Sequence, residues 1–382
     1  MRGPWRAAAP GVVPPTRWDR RARWEVLTRP GRLPEADGPP ASTPEAPGHE
    51  EVVVASAGVA SVGVASAASG GVTAGGRRRR VARAVAGLGV SVAAAGAVTL
   101  AYGALYERSA YTLRRVSIPV LPAGSRPLRV LHMSDLHVTA RQRDKLAWLS
   151  ELARLVPDLV VLTGDVLSAE DARGPLLAAL EPLYSFPGVF VPGNNDYFVP
   201  TLTSPHRYLR RSDEAEPTGA PLDWAGLAKD LAAASGWTEL TNTRAVLAAG
   251  GCRIDVRGVD DARLRRDRPD LVAGPPEPGT QLALGLSHTP EPRVLDAFTA
   301  DGVGLILSGH THGGQIRLPG IGALVSNCGL DRSRVRGLSR HVTAAAASWL
   351  HVSPGLGTSP FAPVRLGCRP EATLLCLTAV PA

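Results

Sequence analysis

Leu305-Ile306-Leu307-Ser308-Gly309-His310-Thr311-His312-Gly313-Gly314-Gln315 runs from a short apolar stretch into two histidines spaced two apart. The apolar part reads as a buried strand, and the glycines let the backbone turn tightly where it ends. The same grammar occurs four times upstream. Leu128–Leu131 leads to Ser134-Asp135-Leu136-His137, Leu159–Leu162 to Gly164-Asp165, Val189–Val191 to Gly193-Asn194, and Leu282–Leu286 to Ser287-His288. Buried strands of α/β proteins read as continuous apolar runs, and sites are built at their carboxyl ends. The fold class is therefore α/β.

Taken singly, each of these residues is ordinary: a lone histidine is usually a satisfied polar side chain, and a strand-end aspartate often caps a helix. Jointly they are five ligand-bearing segments after five strand-like runs. Carboxylates, an amide oxygen and imidazoles suit divalent cations of intermediate softness. Asp165, with two oxygens, can bridge two of them. Two such cations lower the pKa of a shared water and balance charge on a phosphoryl group, the ester whose hydrolysis most needs that help.

Composition narrows the partners. The chain has 382 residues and a formal charge of +8. That excess lies outside the motif region: residues 1–80 are at +5, residues 81–126 at +4, and the remainder near −1. A nucleic-acid binder would carry its positive charge around the chemistry, so nucleic acid is not expected as a partner. Cys252, Cys328, Cys368 and Cys376 show no C-x-x-C spacing. Unpaired buried thiols and disulfides both remain open, with the former favoured for a domain this large.

Residues 1–76 are rich in Pro, Gly, Ala and Arg and are expected to be a disordered low-complexity leader. Residues 77–108 hold a basic flank, Arg77–Arg80 and Arg83, followed by the charge-free run Ala84–Tyr106. Twenty-three residues make a helix of about 35 Å, enough to span a bilayer core. An anchor is favoured over a cleaved signal, and the flanking arginines favour an outside catalytic domain at the cell membrane. Residues 109–126 are expected to be a linker and 127–382 the catalytic domain. Within it, Asp144–Val156 has a helical apolar face of Leu146, Leu149, Leu152, Ala153 and Val156. Asp223 caps a helix Trp224–Ala234, and Gly250-Gly251 joins a hairpin.

These motifs resemble the calcineurin-like metallophosphoesterase superfamily over roughly Leu128–Leu377. Its D-x-H is matched by Asp135-Leu136-His137, its G-D by Gly164-Asp165, its G-N-H-[DE] by Gly193-Asn194-Asn195-Asp196, its lone His by His288, and its G-H-x-H by Gly309-His310-Thr311-His312. The resemblance implies a four-layer αββα sandwich of two mixed sheets, here preceded by one transmembrane helix, around two divalent metal ions (Mn, Zn or Fe). One metal would take Asp135, His137, Asp165 and His312; the other Asp165, Asn194, His288 and His310. Gly313-Gly314-Gln315, Gly355–Thr358 and Cys368-Arg369-Pro370-Glu371 look most like a membrane-associated branch that includes cell-wall-associated enzymes and UDP-diacylglucosamine pyrophosphatases.

In that pattern the residue at 195 is a histidine, held by an acidic neighbour, that protonates the leaving oxygen or stabilises the transition state. Asn195 cannot deliver a proton, so Asn195 and Asp196 are the expected catalytic pair with an altered role. Leaving groups that need little protonation would be favoured unless Tyr197, His206 or a metal-bound water substitutes. The expected substrate is a phosphorylated small molecule or lipid of the cell envelope. The alternatives are a soluble nucleotide phosphodiesterase and a non-catalytic envelope-binding module. Thr201–Ala220 is expected as a surface loop whose His206, Arg207, Arg210 and Arg211 could cover substrate. Leu202, Tyr208, Leu209 and Trp224 would offer that loop an apolar side toward lipid.

Overall fold

The computed structural model describes residues 24–27, 74–201 and 219–381. The chain divides into two compact units: residues 35–99, and residues 1–34 with 100–382. The first holds most of the helix α1 (Ala74–Leu105). Residues 85–109 are long and apolar enough to cross a membrane, by length and composition.

The second unit contains two mixed sheets. One runs in the order β1 (Trp24–Leu27), β2 (Thr112–Leu121), β15 (Glu371–Ala379), β3 (Leu128–Met133), β4 (Leu159–Thr163), β5 (Gly188–Val191), β6 (Thr238–Glu239). β3 through β6 are parallel, and β15 lies between β2 and β3, parallel to the former and antiparallel to the latter. The other sheet runs β13 (Gly337–Val342), β14 (Ala347–Val352), β10 (Leu305–Ser308), β9 (Leu282–Leu286), β8 (Cys252–Gly258), β7 (Thr243–Ala249). Its four central strands are parallel and its two edge strands antiparallel.

The apolar runs work by alternation. Successive strand residues point to opposite faces, so an unbroken run fills two cores at once. Leu305 and Leu307 enter the core between the sheets with Val130, Val161 and Ile254, while Ile306 turns to the opposite face. There it meets Val294 and Phe298 of α5 (Pro292–Ala300). On the first sheet Leu131, Met133 and Leu162 face α2 (Arg143–Glu151), α3 (Arg173–Leu180) and α4 (Trp224–Ser235). The result is the four-layer αββα sandwich.

Several local expectations hold. β7 and β8 form the hairpin through Gly250 and Gly251, both at positive φ. Asp223 Oδ1 accepts the Gly226 N–H at 2.9 Å and caps α4. Cys252, Cys368 and Cys376 are free thiols.

Others need correction. Residues 109–126 are no linker: β2 is a ten-residue strand with Val116, Ile118 and Leu121 buried. The segment Asp144–Val156 is α-helical only to Glu151 and then tightens to 3₁₀. The tighter turn puts Leu155 inside and leaves Val156, in the left-handed region at φ 46°, 46 % exposed. Trp224 does not face lipid; it is buried, and its Nε1 donates to Glu239 at 3.0 Å. The leader is not wholly irregular, because Trp24–Leu27 pairs with β2, and α1 begins at Ala74, within residues 1–76. His206, Arg207, Arg210, Arg211, Leu202, Tyr208 and Leu209 lie outside the described residues.

Candidate metal centre

All five ligand segments begin at carboxyl ends of parallel strands: β3, β4 and β5 in one sheet, β9 and β10 in the other. Cross-links between the loops fix their spacing. The Asp135 N–H donates to Gly164 O, the His137 N–H to Asp165 O and the Gly309 N–H to His288 O, each at 2.9 Å.

The turns are sharp. Asp135, His137, Asp165, His310 and His312 all have φ between 42° and 65°. Non-glycine residues rarely occupy that region, and such strain gathers at functional sites. Gly193 is required by proximity: a Cβ there would collide with Asp165 Oδ1 and sit 2.8 Å from His288 Cε1.

The loops bring the candidate ligands together in two groups, Asp135–His137–Asp165–His312 and Asp165–His288–His310, with ligand atoms within 4.8 Å of one another. Asp165 belongs to both. Its Oδ2 lies 3.4 Å from His137 Nε2 and 3.4 Å from His288 Nε2. His312 Nε2 is 3.5 Å from Asp135 Oδ1 and 3.3 Å from His137 Nε2. The seventh residue, Asn194, has its Oδ1 buried without a hydrogen-bond partner, as does the Nε2 of His288.

Second partners set the histidine tautomers. His288 Nδ1 donates to Thr163 O at 2.7 Å and His312 Nδ1 to Gly357 O at 3.1 Å, since a carbonyl can only accept. Nε2 is therefore the nitrogen left to each ring for a metal, the usual arrangement for metal-ligating imidazoles. His137 Nδ1 is held by Ser168 Oγ at 3.2 Å. His310 is reversed, with Nε2 on Asn327 O at 3.3 Å and Nδ1 left to ligate.

Burial pushes His137 and His312 down to about 4 and His310 well below its ordinary value, so all three are neutral near pH 7. His288 differs. Burial opposes its charge, but the carboxylates of Asp165, Asp135 and Asp261 together outweigh burial and hold it well above the ordinary value. Asp165 is correspondingly held well below the carboxylate range by His288, against its own burial. Without a cation, Asp165 and His288 form an ion pair. Convergent neutral imidazoles, two carboxylates and an orphaned amide oxygen fit a borderline divalent ion, which would replace that proton.

Asn195 and Asp196 are placed differently from an acid and its holder. Asn195 turns onto the shared carboxylate: its N–H donates to Asp165 Oδ1 at 2.8 Å and its Nδ2 to Oδ2 at 2.7 Å. Asp196 accepts the N–H groups of Asp165 (2.7 Å), Val166 (2.7 Å), Leu167 (3.4 Å) and Gly193 (2.8 Å). Burial and the Asp165 charge push its carboxyl up to about 7. Yet four donors converge on it, and a proton on either oxygen would displace one, so the anion fits the loop. Tyr197, a candidate substitute acid, donates its hydroxyl to Asp260 Oδ1 at 2.8 Å, and burial and Asp260 push its pKa upward.

Two buried basic side chains have no counterpart among the motifs, and burial pushes the Lys145 ammonium down to about 7. Lys145 Nζ donates to Leu136 O at 2.7 Å under the Asp135–His137 turn. Arg365, fully buried, donates through Nη2 to Pro354 O and Gly357 O at 2.8 and 2.6 Å. It braces the Gly355–Gly357 backbone, whose Gly357 N–H donates in turn to Asp135 O at 2.6 Å. No spacing or motif marks either residue; only their burial does.

Several known proteins are similar to this chain. A Bacillus subtilis (strain 168) protein, YpbG, is 29 % identical over 66 % of this chain and 82 % of its own. The Escherichia coli (strain K12) phosphodiesterase YaeI is 25 % identical over 70 % of this chain and 89 % of its own. A Danio rerio transmembrane protein with a metallophosphoesterase domain is 28 % identical over 74 % of this chain, which spans 60 % of that protein. The calcineurin-like phosphoesterase family matches residues 128–314, a span that contains all seven candidate ligands, so the chain carries a domain of that family.

Proposed function

We propose that this protein is a metal-dependent hydrolase of phosphate esters or diphosphates, held at the cell membrane by residues 85–109 with its catalytic domain outside. The observation that carries the reading is the pair of ligand groups sharing Asp165, with His288 Nε2 3.4 Å from its Oδ2 and the Asn194 Oδ1 buried without a hydrogen-bond partner. One divalent cation is assigned to Asp135, His137, Asp165 and His312, and a second to Asp165, Asn194, His288 and His310. Such a pair supplies a water of lowered pKa and a Lewis acid for the phosphoryl oxygens.

The chain's own residues do the rest. Asn195 orients the shared carboxylate, Asp196 positions the Asp165 loop as an anion, and Lys145 and Arg365 fix the two backbone turns beside the metals. The substrate class is a lipid-linked or cell-envelope phosphate; one relative is named a phosphodiesterase and another a transmembrane protein.

The test is metal analysis of the full chain in detergent, alongside hydrolysis of an aryl phosphodiester, nucleotide-diphosphate lipids and soluble nucleotide diphosphates. Two cations per chain with turnover, both lost in Asp165→Asn, is the expected result. Two cations with no turnover on any substrate would favour a binding module instead.

A further inference from the structure

Four large apolar side chains stand exposed on one joined piece of the globular unit: Leu318, Ile321, Leu324 and Phe361, with Ile321 66 % exposed. The first three lie on or beside a small hairpin, β11 (Arg317–Leu318) paired with β12 (Gly322–Ala323). Phe361 sits on the neighbouring loop, which is bonded to the hairpin base. The Arg317 N–H donates to Leu366 O at 2.8 Å, the Leu366 N–H to Gln315 O at 3.0 Å, and Gln315 Nε2 to Ala362 O at 2.6 Å.

The hairpin rises from the metal centre. Its first leg follows Gly313 directly after His312, and Arg317 Nη1 donates to Gly313 O at 3.2 Å. Four residues beyond its return leg lies Asn327, whose carbonyl holds His310. The neighbouring loop also grips the last turn of α1: the Arg365 N–H donates to Gly103 O at 3.3 Å, and a Cβ on Gly103 would lie 2.6 Å from Arg365 O. On that turn Tyr102 and Tyr106 are exposed, with ring centroids 5.3 Å apart. Paired tyrosines at the end of an apolar helix mark the membrane–water interface. Arg332, exposed, donates to Leu324 O at 3.2 Å and places a cation suited to anionic headgroups beside the hairpin.

We infer that Leu318, Ile321, Leu324 and Phe361 form a ledge seated in the interfacial layer of a bilayer, so that the rim of the metal centre opens at the lipid headgroups. The partner is the lipid surface itself. The inference rests on the reading of residues 85–109 as a membrane span.

The experiment uses the full chain in phosphatidylethanolamine–phosphatidylglycerol vesicles, in a Cys376→Ser background. An environment-sensitive fluorophore is placed at Ile321→Cys, at Phe361→Cys and, as control, at Val342→Cys. Val342 is 67 % exposed at the opposite end of β14 from the metal centre. Labels at 321 and 361 should shift to the blue and be quenched by spin-labelled lipid, while the label at 342 should not. The double variant Ile321→Asp, Phe361→Asp should keep its rate on a soluble aryl phosphodiester and lose about tenfold in kcat/KM on a vesicle-embedded phospholipid ester. Vesicle flotation separates the two ideas. A chain that floats while labels at 321 and 361 behave like that at 342 overturns the ledge and leaves the anchor standing. A chain that does not float overturns both.

Discussion

Replacing Asp196 by Asn tests whether its carboxylate is a clamp or an acid. Both oxygens are fully used: Oδ2 accepts from Asp165 and Gly193, and Oδ1 from Val166 and Leu167. An amide keeps one oxygen and turns an NH2 toward the other two donors. Two charge-assisted bonds are lost and two buried N–H groups are left facing a donor, at about 1.5–3 kcal/mol per bond. The expected loss is roughly 3–5 kcal/mol, and since 1 kcal/mol moves Tm by about 2–4 °C in domains of this order of size, Tm should fall by about 10 °C. The measurement is thermal unfolding of the chelator-treated chain in detergent, which removes any contribution from bound metal. Asp196→Ala, which strands all four amides, should fall at least as far. Turnover per bound pair of cations should survive in whatever fraction of Asp196→Asn still loads. A Tm change under about 2 °C with turnover abolished would refute the clamp and restore Asp196 to the chemistry.

Protonation gives a second prediction. With no cation bound, His288 is held above its ordinary 6.5, so its pairing contributes fully below that pH and fades as pH rises through the raised value. Asp165 is held below its ordinary 3.8, so its contribution is complete above that pH and is lost on acidification. Metal-free stability should therefore be greatest between these limits, and cation binding at pH 7 should release about one proton, from His288, because the other three ligand histidines are already neutral. Calorimetry in buffers of different ionisation enthalpy counts it; no release would contradict the ion pair. Gly193→Ala should abolish loading, because its methyl group overlaps Asp165 Oδ1, and metal analysis of the folded variant would show the defect. For Asn195, rates over aryl phosphates of graded leaving-group pKa should fall more steeply in the native enzyme than in Asn195→His. Equal slopes would mean that the residue at 195 does not govern proton delivery.

The ligand series could be read from the sequence because strand alternation and strand-end placement write themselves into local order. Leu305–Leu307 followed by Gly309-His310 needs no distant information. What could not be read depends on distant partners. The role of Asp196 is set by amides about thirty positions away, and Lys145 and Arg365 act on carbonyls that no motif announces. Residues 109–126 looked like a linker because a strand between two others, partnered by the far end of the chain, has no sequence neighbour to betray it. Val156 was misplaced because a 3₁₀ turn rotates side chains by about 120° per residue where the α pattern assumes about 100°. The left-handed backbone of Asp135, His137, Asp165, His310 and His312 is only weakly signalled, since Asp and His enter that region more often than other non-glycine residues but still uncommonly.

β15 carries a consequence for biosynthesis. Among the described strands it comes last in chain order, yet it fills the slot between β2 and β3, and β3 leads straight into Asp135. Until residues 371–379 have left the ribosome, the first sheet stays open in its middle, and contacts of such sequence separation form slowly. The first sheet therefore cannot close around β3 before β15 has been made, although the second sheet does not include that strand. Closure of that sheet, and with it the final seating of the strand that leads into Asp135, becomes possible only after residues 371–379 have joined the rest of the domain.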